Sequence, residues 1–416
     1  MADKYFPIRT ATSCQLKWNW STLYLYGGRT ASCHRTGWGQ LTPATFNTFH
    51  NTEKKQEERR RMLAGEWPEE SCGYCRTIEE SGGYSDRMFS LDIPNQSPAE
   101  LEINPTTTTI SPTILEVFFN NTCNLACLYC IPELSSKINQ ENKMFGRFEN
   151  SGIILDIEPK DNNYHEMLRE FWKWFGINSH SLKRFNILGG EPFYQAEFDQ
   201  TLTYFENNPH KELELGIVTN LMISPGILEK NIKRFKNLLA LRHLKRIDIT
   251  CSIDCLGSEQ EYVRYGINLD TWIQNFEYLI SHNWLTVNIN QTISVLTIKT
   301  MPALLEKLIT WRKQRSIGHF FSEVTPQPSY LMPGIFGPTM FSNDFQHILS
   351  LMPTTHEQDK KAQHYMQGIA THIAASQKQP DEIKKLQIFL NEKDRRRGTS
   401  WQTTFPWLTK EMTNVV

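Results

Sequence analysis

Residues 114–130 read Ile114-Leu-Glu-Val-Phe-Phe-Asn-Asn-Thr-Cys123-Asn-Leu-Ala-Cys127-Leu-Tyr-Cys130. The first six form an apolar run of strand length, rich in branched and aromatic side chains. Three cysteines then follow at C-x3-C-x2-C spacing, on what must be the loop leaving that strand. With nine cysteines in the chain, such spacing arises by chance with a probability of about 0.4%, so the three are read as a ligand set.

Outward from this stretch, short apolar runs alternate with helical patterns. Runs at 185–188, 213–219, 246–253, 286–294 and 322–325 read as further strands. Between them, apolar residues recur at three- and four-residue spacing, as in Met167, Leu168, Phe171 and Phe175, or Leu304, Leu305, Leu308 and Ile309. Six strand–helix units in succession predict an α/β fold whose parallel sheet curls into a barrel or part of one, because each parallel strand needs a crossover. Chemistry then belongs at the C-terminal ends of the strands. Upstream, Asp92–Pro112 is rich in Pro and Thr and reads as a linker. Beyond about residue 335 the chain turns polar and helical, and the mixed charge run Asp381–Arg397 shows no evident chemistry.

The chain has 416 residues, 39% of them hydrophobic, with 44 basic against 45 acidic side chains. That supports a sizeable core, and a formal charge of −1 supplies no global field toward nucleic acid or an anionic membrane. The N-terminal MADKYFPIRTATSC has no apolar segment of signal-peptide length, and no stretch approaches about 20 apolar residues. A cytoplasmic protein with no membrane partner is expected. In that reducing compartment, clustered cysteines suggest metal ligands rather than disulfides.

Soft thiolates select zinc or iron–sulfur clusters. No Cys or His lies between Cys130 and His165 to complete a four-ligand zinc site nearby. Three thiolates on a four-iron cluster leave one iron open to a substrate. With Tyr129 before the last cysteine, the string resembles the radical SAM superfamily.

Further matches come in chain order. Gly189-Gly190-Glu191-Pro192, at the end of the second run, resembles that family's GGEP motif, which receives the ammonium of S-adenosylmethionine (SAM). Asn220, in Val218-Thr219-Asn220, and Ser252 and Asp254, in Ser252-Ile253-Asp254, resemble segments lining the SAM pocket. Taken alone, an Asn or Asp after a strand is most often a turn or cap residue. The resemblance covers about residues 113–330. It implies a partial (βα)6 barrel, a 4Fe-4S cluster on Cys123, Cys127 and Cys130, and cleavage of SAM to methionine and a 5′-deoxyadenosyl radical. It also implies an electron donor such as flavodoxin or ferredoxin.

Cys14, Cys33, Cys72 and Cys75 form a second set. Residues 21–26 and 29–33 flank Gly27-Gly28, a hairpin signal, and a charged helix is expected over 53–64 with Gly65 as its cap. Zinc and a four-iron cluster both satisfy four such thiols. Together with Arg61-Met-Leu-Ala-Gly65-Glu66, Glu79-Glu80-Ser-Gly-Gly83 and Ser85-Asp-Arg87, the set resembles a twitch domain, placed here before the barrel. That resemblance implies a second 4Fe-4S cluster, with zinc as the alternative.

The expected organisation is a twitch-like cysteine-rich hairpin/helix domain at 1–91, a linker at 92–112, the partial barrel at 113–334 and a helical extension at 335–416. The expected function is radical SAM modification of a peptide or protein. Alternatives are a nucleotide, sugar or other small molecule as substrate, or a cluster-bearing redox or binding protein without turnover.

Three features carry two readings each. Cys255 is either a buried packing thiol or a hydrogen-atom donor. The basic stretch 230–246 is either a solvated helix face or an anion patch. Pro326-Gln-Pro-Ser-Tyr330 is either a rigid loop or a substrate contact.

Overall fold

The computed structural model describes residues 12–33, 36–80, 85–91, 108–150, 153–154, 163–323, 328–355 and 357–413. Nine strands in these residues form one sheet. In chain order they are β1 (Trp20–Tyr24), β2 (Arg29–Ala31), β3 (Gly39–Gln40), β4 (Ile114–Phe118), β5 (Arg184–Leu188), β6 (His210–Thr219), β7 (Leu244–Ser252), β8 (Thr286–Ile293) and β9 (Gly318–Glu323). Across the sheet the order is β9-β8-β7-β6-β5-β4-β1-β2-β3.

From β4 to β9 each strand lies beside its chain neighbour and runs parallel to it. The crossovers are the helices Tyr164–Asn178, Ala196–Asn207, Pro225–Ala240, Leu269–Ile280 and Met301–Arg312. Parallel pairing sends all the C-terminal strand ends to one edge, which is where every motif after β4 lies.

The two faces of the sheet differ. Leu115, Phe185, Leu215 and Ile247 align in one row and Val117, Ile187, Ile217, Ile249 and Val287 in the next. Together with Phe171, Phe175, Phe205, Phe235 and Trp272 from the helices they form the main core. Each such buried side chain adds about 1.5–3 kcal/mol. The opposite face is polar: Thr22, Glu116, Asn186, Gly216, Asp248 and Thr286 share one row across six strands. A Cβ on Gly216 would stand 2.2 Å from Asn186 Oδ1, so the glycine lets that amide lie across the row.

Local details depart from the sequence expectations for identifiable reasons. The last strand begins at Gly318, four residues before the expected 322, and pairs there with Asn288, whose Oδ1 would be 2.2 Å from a Cβ on the glycine. Its expected end, 324–325, lies outside the described residues. The hairpin closes through four residues, Leu25–Gly28, instead of the two glycines alone. Tyr24 pairs with Arg29, and Gly28, at φ +59°, donates to Leu25 O at 3.2 Å. The charged helix runs Glu53–Leu63, capped by Thr52 and followed by Gly65 at φ +81°.

Residues 92–107, most of the expected linker, lie outside the described residues. On either side of them the chain belongs to one sheet, because β1 pairs in parallel with β4, Trp20 opposite Ile114 and Tyr24 opposite Phe118. After β9, helices Ser342–Leu351, Glu357–Ala374 and Pro380–Arg397 build a second apolar cluster with Val295, Leu296 and Met301. Tyr330 is fully buried there, its ring 5.0 Å from that of Phe389, so it packs and does not line a binding surface. The basic helix Pro225–Ala240 buries Leu228, Ile232, Phe235 and Leu238, while Lys230 and Arg234 pair with Asp199 and Lys233 with Glu229. That is the solvated-face reading. No helix among the described residues is long and apolar enough to cross a membrane.

Candidate functional site

The loop after β4 holds its cysteines by short-range backbone contacts. Thr122 N donates to Asn120 Oδ1 at 2.8 Å and Cys130 N to Cys127 O at 3.2 Å. Ser136, at the start of helix Ser136–Phe145, both accepts from Cys123 N (3.0 Å) and donates to Cys123 O (3.1 Å). Ser135 Oγ donates to Leu125 O at 2.6 Å. Cys123, Cys127 and Cys130 are each half-buried. Burial raises all three thiols, Cys123 to about 12, and mutual repulsion with Cys127 adds to the effect at Cys123 and Cys130. Leu125 N and Asn220 Nδ2 donate to Cys123 Sγ at 3.5 and 3.7 Å, as the ligand sulfurs of clusters are hydrogen-bonded.

The other motifs close around this loop. Gly189 (φ +84°) and Gly190 (φ +55°) both need the left-handed region. The space a side chain would need at each is taken by the chain itself. A Cβ on Gly189 would lie 2.6 Å from the Phe118 ring, and one on Gly190 would lie 2.2 Å from Thr122 O. Glu191 N donates to that same carbonyl at 2.8 Å, and Pro192 opens the short 3-10 turn that follows.

The Glu191 carboxylate is fully buried. It accepts from Thr219 Oγ1 (2.8 Å), Asn220 N (2.7 Å) and Phe193 N (3.3 Å). Burial pushes its pKa up to about 7 despite these donors. Expected to face the SAM ammonium, it here ties the end of β5 to the end of β6. Asn220 carries the tie onward, donating to Asn124 Oδ1 at 2.9 Å and accepting from Met222 N at 2.8 Å.

On the other side, Asp254 is fully buried and holds Arg264 through two bonds of 2.8 Å. It also accepts from Tyr129 Oη at 2.6 Å and Thr292 N at 2.8 Å. Arg264 pairs in the backbone with Cys127, and Tyr265 with Ala126. Its guanidinium lies 5.5 Å from the Tyr129 ring, and Asp254 raises its pKa against the opposing effect of burial. Charges on Arg264 and on Arg397, from the distant C-terminal helix, draw the Cys127 thiol toward the thiolate against burial. Ser252 is buried on the polar face opposite Asn290. Cys255 is fully buried, its thiol 3.7 Å from Gln260 Oε1, which is the packing reading.

The four N-terminal cysteines also converge. Cys14 precedes helix Gln15–Asn19 and Cys33 follows β2, while Cys72 and Cys75 lie one turn apart on helix Glu69–Glu80. Cys14, Cys33 and Cys72 are buried with Leu16, Trp18 and Met62. After burial, the largest influences raising Cys14 are the other three thiols, and burial raises Cys72 to about 12 and Cys75 to about 11. Lys17 is buried beside them, 2.5 Å from Glu58. Burial pulls its pKa down, yet Cys72 and Glu58 together raise it. Arg87 joins Glu79 to Ser13 O (2.7 Å), fastening the C-x2-C helix to Cys14's segment.

Among the described residues, no group of three or more His, Cys, Asp or Glu side chains is arranged to hold a metal ion. A cluster is held through separate irons at its corners, so its ligands need not converge on a point.

No known family pattern matches the chain, and no curated protein matches it. Solved structures similar to part of it include "Native anSMEcpe with bound AdoMet" (15% identity, TM-score 0.34, 57% of each chain). Another is a histidine-tagged form of anSMEcpe with bound AdoMet (12%, 0.35, 57% of this chain and 59% of that one). A third is "Structure of TYW1 with a lysine-pyruvate adduct bound" (12%, 0.28, 58% and 69%). The chain spans less than two thirds of the length of the first two.

The contacts that Arg264, Arg397, Lys17 and Glu58 make beside the cysteines were not anticipated from the sequence. Arg264 had one usable signal, a carboxylate ten residues earlier that would be buried at a strand end and need a cation. Arg397 lies in a charge run that shows no evident chemistry, and only tertiary packing brings it to Tyr265 and Glu141 beside the cysteine loop.

Proposed function

We propose that the chain is a radical SAM enzyme whose Cys123, Cys127 and Cys130 bind a 4Fe-4S cluster with one open iron. One observation carries the reading. Four strand-end motifs, otherwise ordinary turn residues, meet the cysteine loop in two sets of contacts: Glu191 to Thr122, Thr219 and Asn220, and Asn220 to Cys123, on one side; Asp254 to Tyr129 and Arg264, and Arg264 to Cys127, on the other. When bound, the cluster supplies the single electron that splits the sulfonium of SAM. The chain's part is to hold the thiols, fix the loop and exclude water.

The four N-terminal thiols fit a second cluster closed by protein ligands. Lys17, buried beside Cys72 and Cys33 and paired with Glu58, would be the cation next to that cluster. For the substrate we favour a peptide or protein, as the resemblance to twitch-bearing radical SAM enzymes implies. A flavodoxin- or ferredoxin-type donor would supply the electron.

The test is anaerobic reconstitution with iron and sulfide, then reduction in the presence of SAM. Release of 5′-deoxyadenosine and methionine in equal amounts supports the reading. Iron-loaded, reduced protein that leaves SAM intact contradicts it and restores the redox or binding alternative.

A further inference from the structure

Helix Pro380–Arg397 comes from the part of the sequence with no apparent chemistry, yet its last turn docks on helix Ser136–Phe145, which follows the cysteine loop, and on Tyr265, which pairs with that loop. Glu141, on the helix directly after that loop, accepts from Lys393 Nζ at 2.5 Å and from Arg397 Nε at 2.7 Å. Arg396 bonds to Glu392, Asn142 and Gly146 O and lies 3.8 Å from Glu141. The Arg397 guanidinium carbon stands 4.7 Å over the ring of Tyr265, whose backbone pairs with Ala126 beside Cys127. Gly398, at φ +67°, ends the helix at that point.

The Arg397 side chain is only 3% exposed. Both of its terminal nitrogens are buried without a hydrogen-bond partner. A guanidinium presents a flat two-pronged donor edge suited to planar or extended anions, and leaving that edge dry and unpaired is costly. The contrast with Arg264 is direct: Arg264 spends both prongs on Asp254. Arg397 spends only Nε, so the terminal pair remains for a group that enters beside Cys127.

We propose that Arg397 is the anion-positioning residue of the three-cysteine site, pairing through its terminal nitrogens with negative charge that arrives when the site is filled. The proposal rests on the radical SAM reading above. Two sources of that charge fit the chemistry: the cluster with its thiolates, and the carboxylate of SAM. In either case the C-terminal helix completes the site.

Wild type, Arg397→Gln and Arg397→Lys are reconstituted anaerobically as full chains. Each is compared by iron count, by cluster midpoint potential without SAM, and by equilibrium binding of SAM and of decarboxylated SAM. If the cluster is the anion, Arg397→Gln lowers the potential without SAM, because reduction adds negative charge that has lost its cation, and Arg397→Lys restores it. If the carboxylate is the anion, the potential is unchanged. SAM then binds about tenfold or more weakly to Arg397→Gln, while the decarboxylated analogue binds as to wild type.

Arg397→Met, whose apolar chain suits a buried position, gives the same readings should the amide variant unfold. A variant with wild-type iron, potential and preference for SAM over its analogue overturns the proposal alone. Wild type that assembles no cluster on Cys123, Cys127 and Cys130 overturns the functional reading and this proposal with it.

Discussion

The two cysteine sets are held in opposite ways. Cys123, Cys127 and Cys130 are half-buried on one loop, and what holds that loop is polar: Glu191 and Asn220 on the side of Cys123, Asp254 and Arg264 on the side of Cys127. Cys14, Cys33, Cys72 and Cys75 come from three separate segments, three of the four are buried, and what surrounds them is Trp18, Met62 and the Lys17–Glu58 pair. The second is more deeply buried, and on the proposed reading the first is the site for chemistry and the second a site for structure or electron storage.

The largest effect that would break the comparison is expected at Cys127. Cys127→Ala should abolish SAM cleavage while leaving the far-ultraviolet circular dichroism unchanged, because the loop is held by Ser135, Ser136 and the Arg264 ladder and not by the thiol. Wild-type 5′-deoxyadenosine formation in that variant would remove the assignment.

Next, replacing Cys72 and Cys75 together by serine should remove roughly half of the reconstituted iron. The iron that remains should still respond to SAM. Unchanged iron with lost zinc would make the N-terminal set a zinc site.

The comparison also has a stability side. Asp254→Asn leaves Arg264 buried without its counter-charge and should destabilise the apoprotein by about 3–5 kcal/mol in urea unfolding. A loss below about 1 kcal/mol would show that this pair does not hold the loop.

Glu191 gives a pH-dependent effect. Its folded pKa of about 7 is raised above the unfolded value, so its contribution is fully present below the unfolded pKa and is lost as pH rises through 7. Between about pH 4.5 and 7 wild-type apoprotein should lose about 3 kcal/mol that Glu191→Gln does not lose. Parallel profiles for the two proteins would contradict it.

The smallest effect is at Cys255. Cys255→Ala should cost about 1 kcal/mol from the space left behind and should leave product formation unchanged. A lost product with retained SAM cleavage would revive the hydrogen-donor role.

How far the sequence revealed this depended on how local the signal was. The three-cysteine loop and the strands β4–β8 lie close to where the apolar runs placed them, because period-two and period-3.6 patterns are written within a few residues. The Gly189-Gly190 pair was recognisable, but its physical reason was not. Only the fold shows that Phe118 and Thr122 O occupy the space a side chain would need. The parallel pairing of β1 with β4 was likewise hidden, since nothing in Trp20–Tyr24 indicates a partner 94 positions away. Arg397 was hardest of all: a charged residue in a polar helix carries no local mark of burial.

The account turns on one site being open and the other closed, and electron paramagnetic resonance of the reduced protein with and without SAM tests this most directly. The Cys72/Cys75 double variant should give a cluster signal that changes when SAM is added, and Cys127→Ala should give one that does not. A SAM-responsive signal in Cys127→Ala, or an unresponsive one in the double variant, would contradict the account.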